Sequence, residues 1–265
     1  MILDRRVVVI SDIHANAVAF QAGLALARCV GFDELIMLGD LLTYGCQVQE
    51  TIAIAEEAAS RDKAKFVLGN HDEIYFRYAA GELNNYRHLP PWIQESVEWT
   101  VARLGDGFLH SISPWLQRIE LTRALFAHAN PFEYGDWTYL NTAPRFEQAV
   151  ATLRAGANSL GIFGHTHRHF LFISSHKGDE IVTIALDAEL ALVFDESTTV
   201  AVTISAIGQP RDAPPASSIF IAEPTRQGIS LRRLAVHYNH AAHLDAIVRS
   251  GMSPGTVSKL QSYFK

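Results

Sequence analysis

Three short, largely apolar runs open the chain: Val7–Ile10, Leu35–Leu38 and Ala64–Leu68. Runs of that length and character read as strands buried on both faces of a parallel sheet. Helical-period segments separate them. Asn16 is placed to cap the first, with Val18, Ala22, Ala25, Leu26 and Cys29 on one face and Gly31 ending it. The second covers about Val48 to Ser60. The order βαβαβ implies a parallel sheet with right-handed crossovers. Each apolar run then stops in a polar turn: Asp12 and His14, Asp40, and Asn70-His71-Asp72.

Downstream the pattern changes twice. From Glu73 to about Leu121 it is mainly helical, with Ile93, Val97, Val101 and Leu104 at helix spacing after the break at Pro90-Pro91. Residues 73–121 are a candidate helical cap within a single domain spanning 1–265, with ordinary core packing an equal reading of the same stripe. A strand at Arg123–Ala127 leads to His128, a helix covers Ala143–Ala155, and a strand at Ser159–Phe163 leads to His165 and His167. Six strand-like runs follow between Phe170 and Val236, then helices near His240–Ser250 and Thr256–Phe264.

Five predicted strand ends thus carry Asp, His or Asn, and the carboxyl ends of strands in α/β sheets line ligand crevices. Isolated, each polar group could find a partner at a sheet edge, but five such placements point to one shared site. Carboxylate, imidazole and amide oxygen without thiolate suit a borderline-hard divalent ion: Mn²⁺ first, with Fe, Ni or Zn as alternatives. Seven ligand candidates exceed what one ion takes. They suit two ions sharing a carboxylate about 3.5–4 Å apart. The net charge of −6 offers a nucleic-acid duplex no general attraction, so positive charge for a phosphate substrate would come from the metals.

Ser11-Asp12-Ile13-His14, Gly39-Asp40-Leu41, Gly69-Asn70-His71-Asp72, Ala127-His128 and Gly164-His165-Thr166-His167 resemble, in order, the five motifs of the calcineurin-like metallophosphoesterases. Gly208-Gln209-Pro210-Arg211-Asp212 resembles a late loop of bacterial members similar to YfcE-type phosphodiesterases and diadenosine-polyphosphate hydrolases. The resemblance implies an α/β, four-layer αββα sandwich of two mixed β-sheets flanked by helices. It implies that Asp12, His14, Asp40 and His167 hold one metal and Asp40, Asn70, His128 and His165 the other. A hydroxide between the ions would attack phosphorus in line, while His71 protonates the leaving oxygen and Asp72 orients the His71 ring, the plainer reading of Asp72 being a cap on the following helix. Ala15 and Ala129 stand where the family usually has Gly, and Thr203-Ile204-Ser205-Ala206 where it has Asn-Pro-Gly-Ser, so loop geometry and substrate are where this chain would differ.

Arg168 and Tyr44 are candidate substrate contacts, for a phosphate and for a base or aryl group, against the plainer readings of a surface Arg and a packed Tyr. Arg211 reads as a loop anchor. His240 and His243, three apart on a helix, read as a solvated face rather than a metal pair. Trp92, Trp99, Trp115 and Trp137 could include an exposed contact patch. Cys29 and Cys46 are too few for a disulfide framework. No apolar signal core is expected at the N-terminus and no run approaches the roughly 18 apolar residues of a membrane span, so a cytoplasmic location is the default. The function expected is an enzyme, a metal-dependent hydrolase of a small-molecule phosphodiester or nucleotide phosphoanhydride such as a dinucleotide. The alternatives are a phosphomonoesterase or protein phosphatase, and a non-catalytic interaction module on the same fold.

Overall fold

A computed structural model describes residues 1–82, 84–105, 107–195 and 197–264; positions 83 and 106 of the candidate cap lie outside the described residues. Two six-stranded sheets face one another. The first has the order β3 (Lys65–Phe66), β2 (Glu34–Met37), β1 (Val7–Ile10), β11 (Ser218–Pro224), β12 (Gly228–Ala235), β9 (Ala188–Val193). The second runs β4 (Arg118–Leu121), β5 (Ala124–Ala127), β6 (Leu160–Phe163), β10 (Thr199–Thr203), β7 (Phe170–Ser175), β8 (Gly178–Val182). β1, β2 and β3 pair in parallel, as do β5, β6 and β10; the remaining pairings are antiparallel.

Alternation along the strands builds the layers. Val7 and Val9 of β1 point between the sheets, where they meet Phe126, Leu160, Ile162, Val202 and Phe220. Val8 and Ile10 point outward onto α1 (Ala17–Val30) and its neighbours, beside Phe20 and Leu24. Leu125 and Phe163 point the other way, onto Phe146 and Val150 of α7 (Ala143–Ala155). Each of these strands is apolar at every position because both its faces are covered. The result is the expected helix–sheet–sheet–helix sandwich.

Three expectations are corrected. α1 buries Ala17, Phe20, Leu24 and Ala27 rather than the stripe through Val18 and Ala25; Phe20 buries more apolar surface than any residue of the expected face, and Gly23 lets Ile207 approach where a Cβ would collide. Arg118–Leu121 extends the second sheet instead of ending a helix, with Ile119 turned into the interior. The third strand is only two residues long, and Val67 bridges to Leu116 instead.

The segment after β3 is helical: α3 (Asn70–Ala79), α4 (Asn84–Arg87), α5 (Pro91–Val101) and α6 (Phe108–Ile112). Tyr75, Ile93, Val97 and Phe108 join the same apolar cluster as α1 and α2 (Val48–Arg61). Two helices, α8 (His240–Val248) and α9 (Pro254–Gln261), close the chain before a short 3₁₀ turn at Ser262–Phe264. No helix among the described residues is long and apolar enough to cross a membrane.

Candidate metal centre

The five polar turns meet at one place because the carboxyl ends of β1, β2 and β3 in the first sheet face those of β5 and β6 in the second. Asp12, His14, Asp40, His128, His165 and His167 are all buried. Two groups form around a shared carboxylate: Asp12, His14, Asp40 and His167, and Asp40, His128 and His165, with the ligand atoms of each group within 4.8 Å of one another. Asn70 adds its Oδ1 at 3.0 Å from His128 Nε2.

The backbone bends hard to achieve this. Asp12, His14, Ala15, Asp40, Thr43, Tyr44, His165 and His167 all take positive φ, between 48° and 72°. Left-handed backbone at non-glycine residues costs about 1–3 kcal/mol each and persists where the surroundings over-determine it. Ala15, at φ 49°, adopts the turn for which glycine is the easier residue. Where space runs out, the chain does use glycine: a Cβ on Gly69 would collide with the Asp40 carboxylate, and one on Gly164 with Ser11 and Asp12.

Hydrogen bonds settle which imidazole nitrogen faces inward. His14 Nδ1 donates to the Leu42 carbonyl (3.0 Å), His128 Nδ1 to that of Leu38 (2.5 Å) and His167 Nδ1 to that of Gln209 (2.7 Å). A carbonyl only accepts, so Nδ1 carries a proton in each of these rings and Nε2 is the nitrogen turned to the site. His165 is turned the other way, with Nε2 donating to the Trp137 carbonyl (2.9 Å) and Nδ1 left free. Four rings are thus held in place by backbone oxygen, as the rings of metal-binding histidines commonly are.

The donors fit a cation. His14 Nε2 and His167 Nε2 lie 3.1 Å apart, two lone pairs in contact. Burial, opposed by the nearby Asp40 charge, holds His14 well below the usual imidazole range; burial does the same to His167, aided by Arg211 and His14. A proton is therefore not what reconciles them, whereas a metal ion between them would. Asp40 Oδ1 accepts from the His71 amide (2.8 Å), but its buried Oδ2 has no hydrogen-bond partner among the described residues. That oxygen sits 3.6 Å from His14 Nε2 and 3.4 Å from His128 Nε2, facing both groups. Burial opposes protonation of His128, yet Asp40, Asp12 and the Leu38 carbonyl outweigh it and push the ring up to about 9.

Asp72 does not reach the His71 ring. Its carboxylate accepts from the amides of Gly69 (2.8 Å), Asp40 (2.8 Å) and Leu41 (3.0 Å). It caps α3 and clamps that helix to the Asp40 loop, a use dictated by the three unpaired amides converging on it. His71 Nε2 instead meets the hydroxyl of Tyr44 at 2.9 Å, and its Nδ1 has no partner among the described residues. Burial lowers His71 to about 4. Tyr44 is itself buried, with its ring 5.3 Å from Trp92 in a stacked arrangement and its amide donating to Ser96 Oγ.

Arg168 is exposed and its Nε donates to the Arg211 carbonyl (3.0 Å). The cation turned towards the centre is Arg211. Its charge acts on Asp12, His14, Tyr44, His71, Tyr139 and His167. Tyr139 stacks on His165 (centroids 4.3 Å, planes 10° apart) and is 45% exposed. The sequence marks Arg211 only as a loop anchor, and Trp137 and Tyr139 carry no signal in it beyond aromatic density in a loop. The four tryptophans form no external patch. Trp92 packs on Tyr44, Trp115 on Phe66, Trp137 beside His128, and Trp99 donates to the Ser250 carbonyl. His243 is buried against Phe264 rather than solvated.

The calcineurin-like phosphoesterase superfamily domain matches residues 6–186. The uncharacterized protein MJ0912 of Methanocaldococcus jannaschii is 26% identical over 211 residues, 78% of this chain and 77% of that protein. The crystal structure of a metallophosphoesterase from Sphaerobacter thermophilus superposes with a TM-score of 0.74 at 25% identity, covering 97% of this chain and 99% of that one. The hypothetical protein PH1004 of Pyrococcus horikoshii OT3 shares the fold, with a TM-score of 0.72 at 13% identity over 96% and 97% of the two chains.

Proposed function

This chain belongs to the calcineurin-like phosphoesterase superfamily and is a metal-dependent phosphoesterase, and from that premise we propose that it holds two divalent ions and hydrolyses a small-molecule phosphodiester or nucleotide phosphoanhydride. The observation that carries the dinuclear reading is the orphaned Asp40 Oδ2 shared between two groups of inward-facing histidines. Asp12, His14, Asp40 and His167 would hold one ion, and Asp40, Asn70, His128 and His165 the other. Bound there, the ions would supply Lewis-acid charge for the phosphoryl oxygens and the acidity that makes water a nucleophile at neutral pH.

The chain's own groups do the rest. His71 stands beside the shared carboxylate with its amide on Asp40 Oδ1. With Tyr44 donating to Nε2 of a ring that burial keeps neutral, the proton sits on Nδ1, the nitrogen without a partner among the described residues, where it would donate a hydrogen bond to the charge developing on the leaving oxygen. Asp72 fixes the distance between the His71 helix and Asp40. Beside Asn70 opens a cavity of about 210 Å³ walled by Ile74, Tyr86, Leu89 and Trp137, suited to the organic group of a small ester. Three of those walls come from residues 73–121, which in this reading cap the site.

Hydrolysis of bis(p-nitrophenyl) phosphate and p-nitrophenyl phosphate by metal-stripped protein refilled with Mn²⁺ tests the proposal. Metal-dependent turnover favouring the diester is expected, and Asp40→Asn should lower it by more than about a hundredfold. Preference for the monoester would overturn the diester reading. Full activity in Asp40→Asn would remove the shared carboxylate from the mechanism.

A further inference from the structure

Residues beyond the match at 186 bring two cations together at the rim of the centre. Arg211 is fastened to the metal loops: its amide donates to the His167 carbonyl (3.0 Å), and its Nη2 donates to the Gln209 side chain (2.7 Å). Its buried Nε has no partner among the described residues. Lys259 arrives on α9, whose first turn is pinned to α5 because Glu95 accepts from the Ser253 amide and hydroxyl, both at 2.6 Å. The turn after α9 then sets Tyr263 against both cations, 5.1 Å from Arg211 Cζ and 4.7 Å from Lys259 Nζ. Lys259 Nζ also lies 5.7 Å from Trp92, which stacks on Tyr44, the partner of His71.

Like charges on one ring repel, and such a pair is ordinarily relieved by a carboxylate. Among the described residues neither cation has one, although the chain carries 28 acidic side chains against 22 basic. A local reversal of the molecule's charge, with a guanidinium donor left open, is the makeup of an anion site. The position is specific: a chain of rings, Tyr263 to Trp92 to Tyr44, links it to His71.

We infer that Arg211 and Lys259 form a second anion subsite, which binds a phosphate group adjoining the one held at the metal centre and selects substrates with a diphosphate or longer chain. This rests on the proposed phosphoesterase site and names its substrate class. Arg211 keeps its Nε donor, without a partner among the described residues, for a phosphate oxygen, and Lys259 adds a mobile point charge at the rim.

The test is calorimetric titration of the Mn²⁺-loaded protein with methylenediphosphonate, whose P–C–P bridge resists hydrolysis, and with methylphosphonate. Wild type should bind the diphosphonate at least about tenfold more tightly. Arg211→Gln should bring the ratio close to one, Lys259→Gln should lower it part-way, and Arg211→Lys should keep most of it. An unchanged ratio in Arg211→Gln and Lys259→Gln, with metal content retained, would overturn the subsite. Turnover of bis(p-nitrophenyl) phosphate by wild type with no preference between the phosphonates would overturn it alone. Preference without any turnover of bis(p-nitrophenyl) phosphate would uphold the subsite and sink the diester reading.

Discussion

The sharpest contrast at the residue scale is between His71 and the histidines proposed as ligands around it. Those rings are each held by a backbone carbonyl, whereas His71 is held by a side chain, the Tyr44 hydroxyl at 2.9 Å. Such a ring can keep its place through proton transfer while its basicity is set by one removable group. Tyr44→Phe keeps the stacking on Trp92 and deletes only that bond. We expect kcat to fall about tenfold, the worth of one buried hydrogen bond, with KM and metal content near wild type. Kinetics with metal analysis checks this, and a rise in KM alone would instead make Tyr44 a substrate contact. Tyr44 stood out in the sequence only by lying near Asp40; its bond to His71 depends on two successive left-handed residues, Thr43 and Tyr44, which no local pattern announces.

Among the elements, α8 shows how a residue's meaning changes with packing. His243 lies beneath that helix, 2% exposed, its Nδ1 3.5 Å from Gln47 Oε1. Burial, with a smaller push from His240, lowers it to about 3 from an ordinary 6.5. The folded-state pKa is below the unfolded one, so the unfolded chain takes up the proton first as pH falls. The contribution is fully present above about 6.5 and is lost progressively towards about 3, at no more than about 1.4 kcal/mol per pH unit. His243→Gln should therefore lose less stability than wild type between pH 6.5 and 4, read as the difference between two urea-unfolding series. Parallel series would show that the ring does not titrate with folding. A helical wheel cannot foresee this burial, because it depends on α8 lying against α1.

For the whole molecule, the centre joins the two sheets across their strand ends, so metal binding is linked to the stability of the fold. An ion at a hundred times its Kd adds about 2.7 kcal/mol, and a chain of this size gains about 2–4 °C in Tm per kcal/mol. Stripping the metals should lower Tm by about 5–10 °C, and refilling with Mn²⁺ should restore it, as scanning calorimetry would show. An unshifted Tm would mean that no ion binds tightly at the sheet junction. Local sequence pattern sets the strand-end placement of Asp12, His14, Asp40, Asn70, His128, His165 and His167, because strand periodicity and the turn that ends it are local properties of the chain. It also sets the α/β layering, since apolar strands with no polar face must be covered on both sides. It takes the folded chain to show that these strand ends belong to two facing sheets, that Asp72 serves the backbone instead of His71, and that Arg211 rather than Arg168 faces the centre. Each of those depends on contacts between segments dozens to hundreds of residues apart, and side-chain direction at such contacts is set by packing and by strained loop backbone rather than by neighbouring residues.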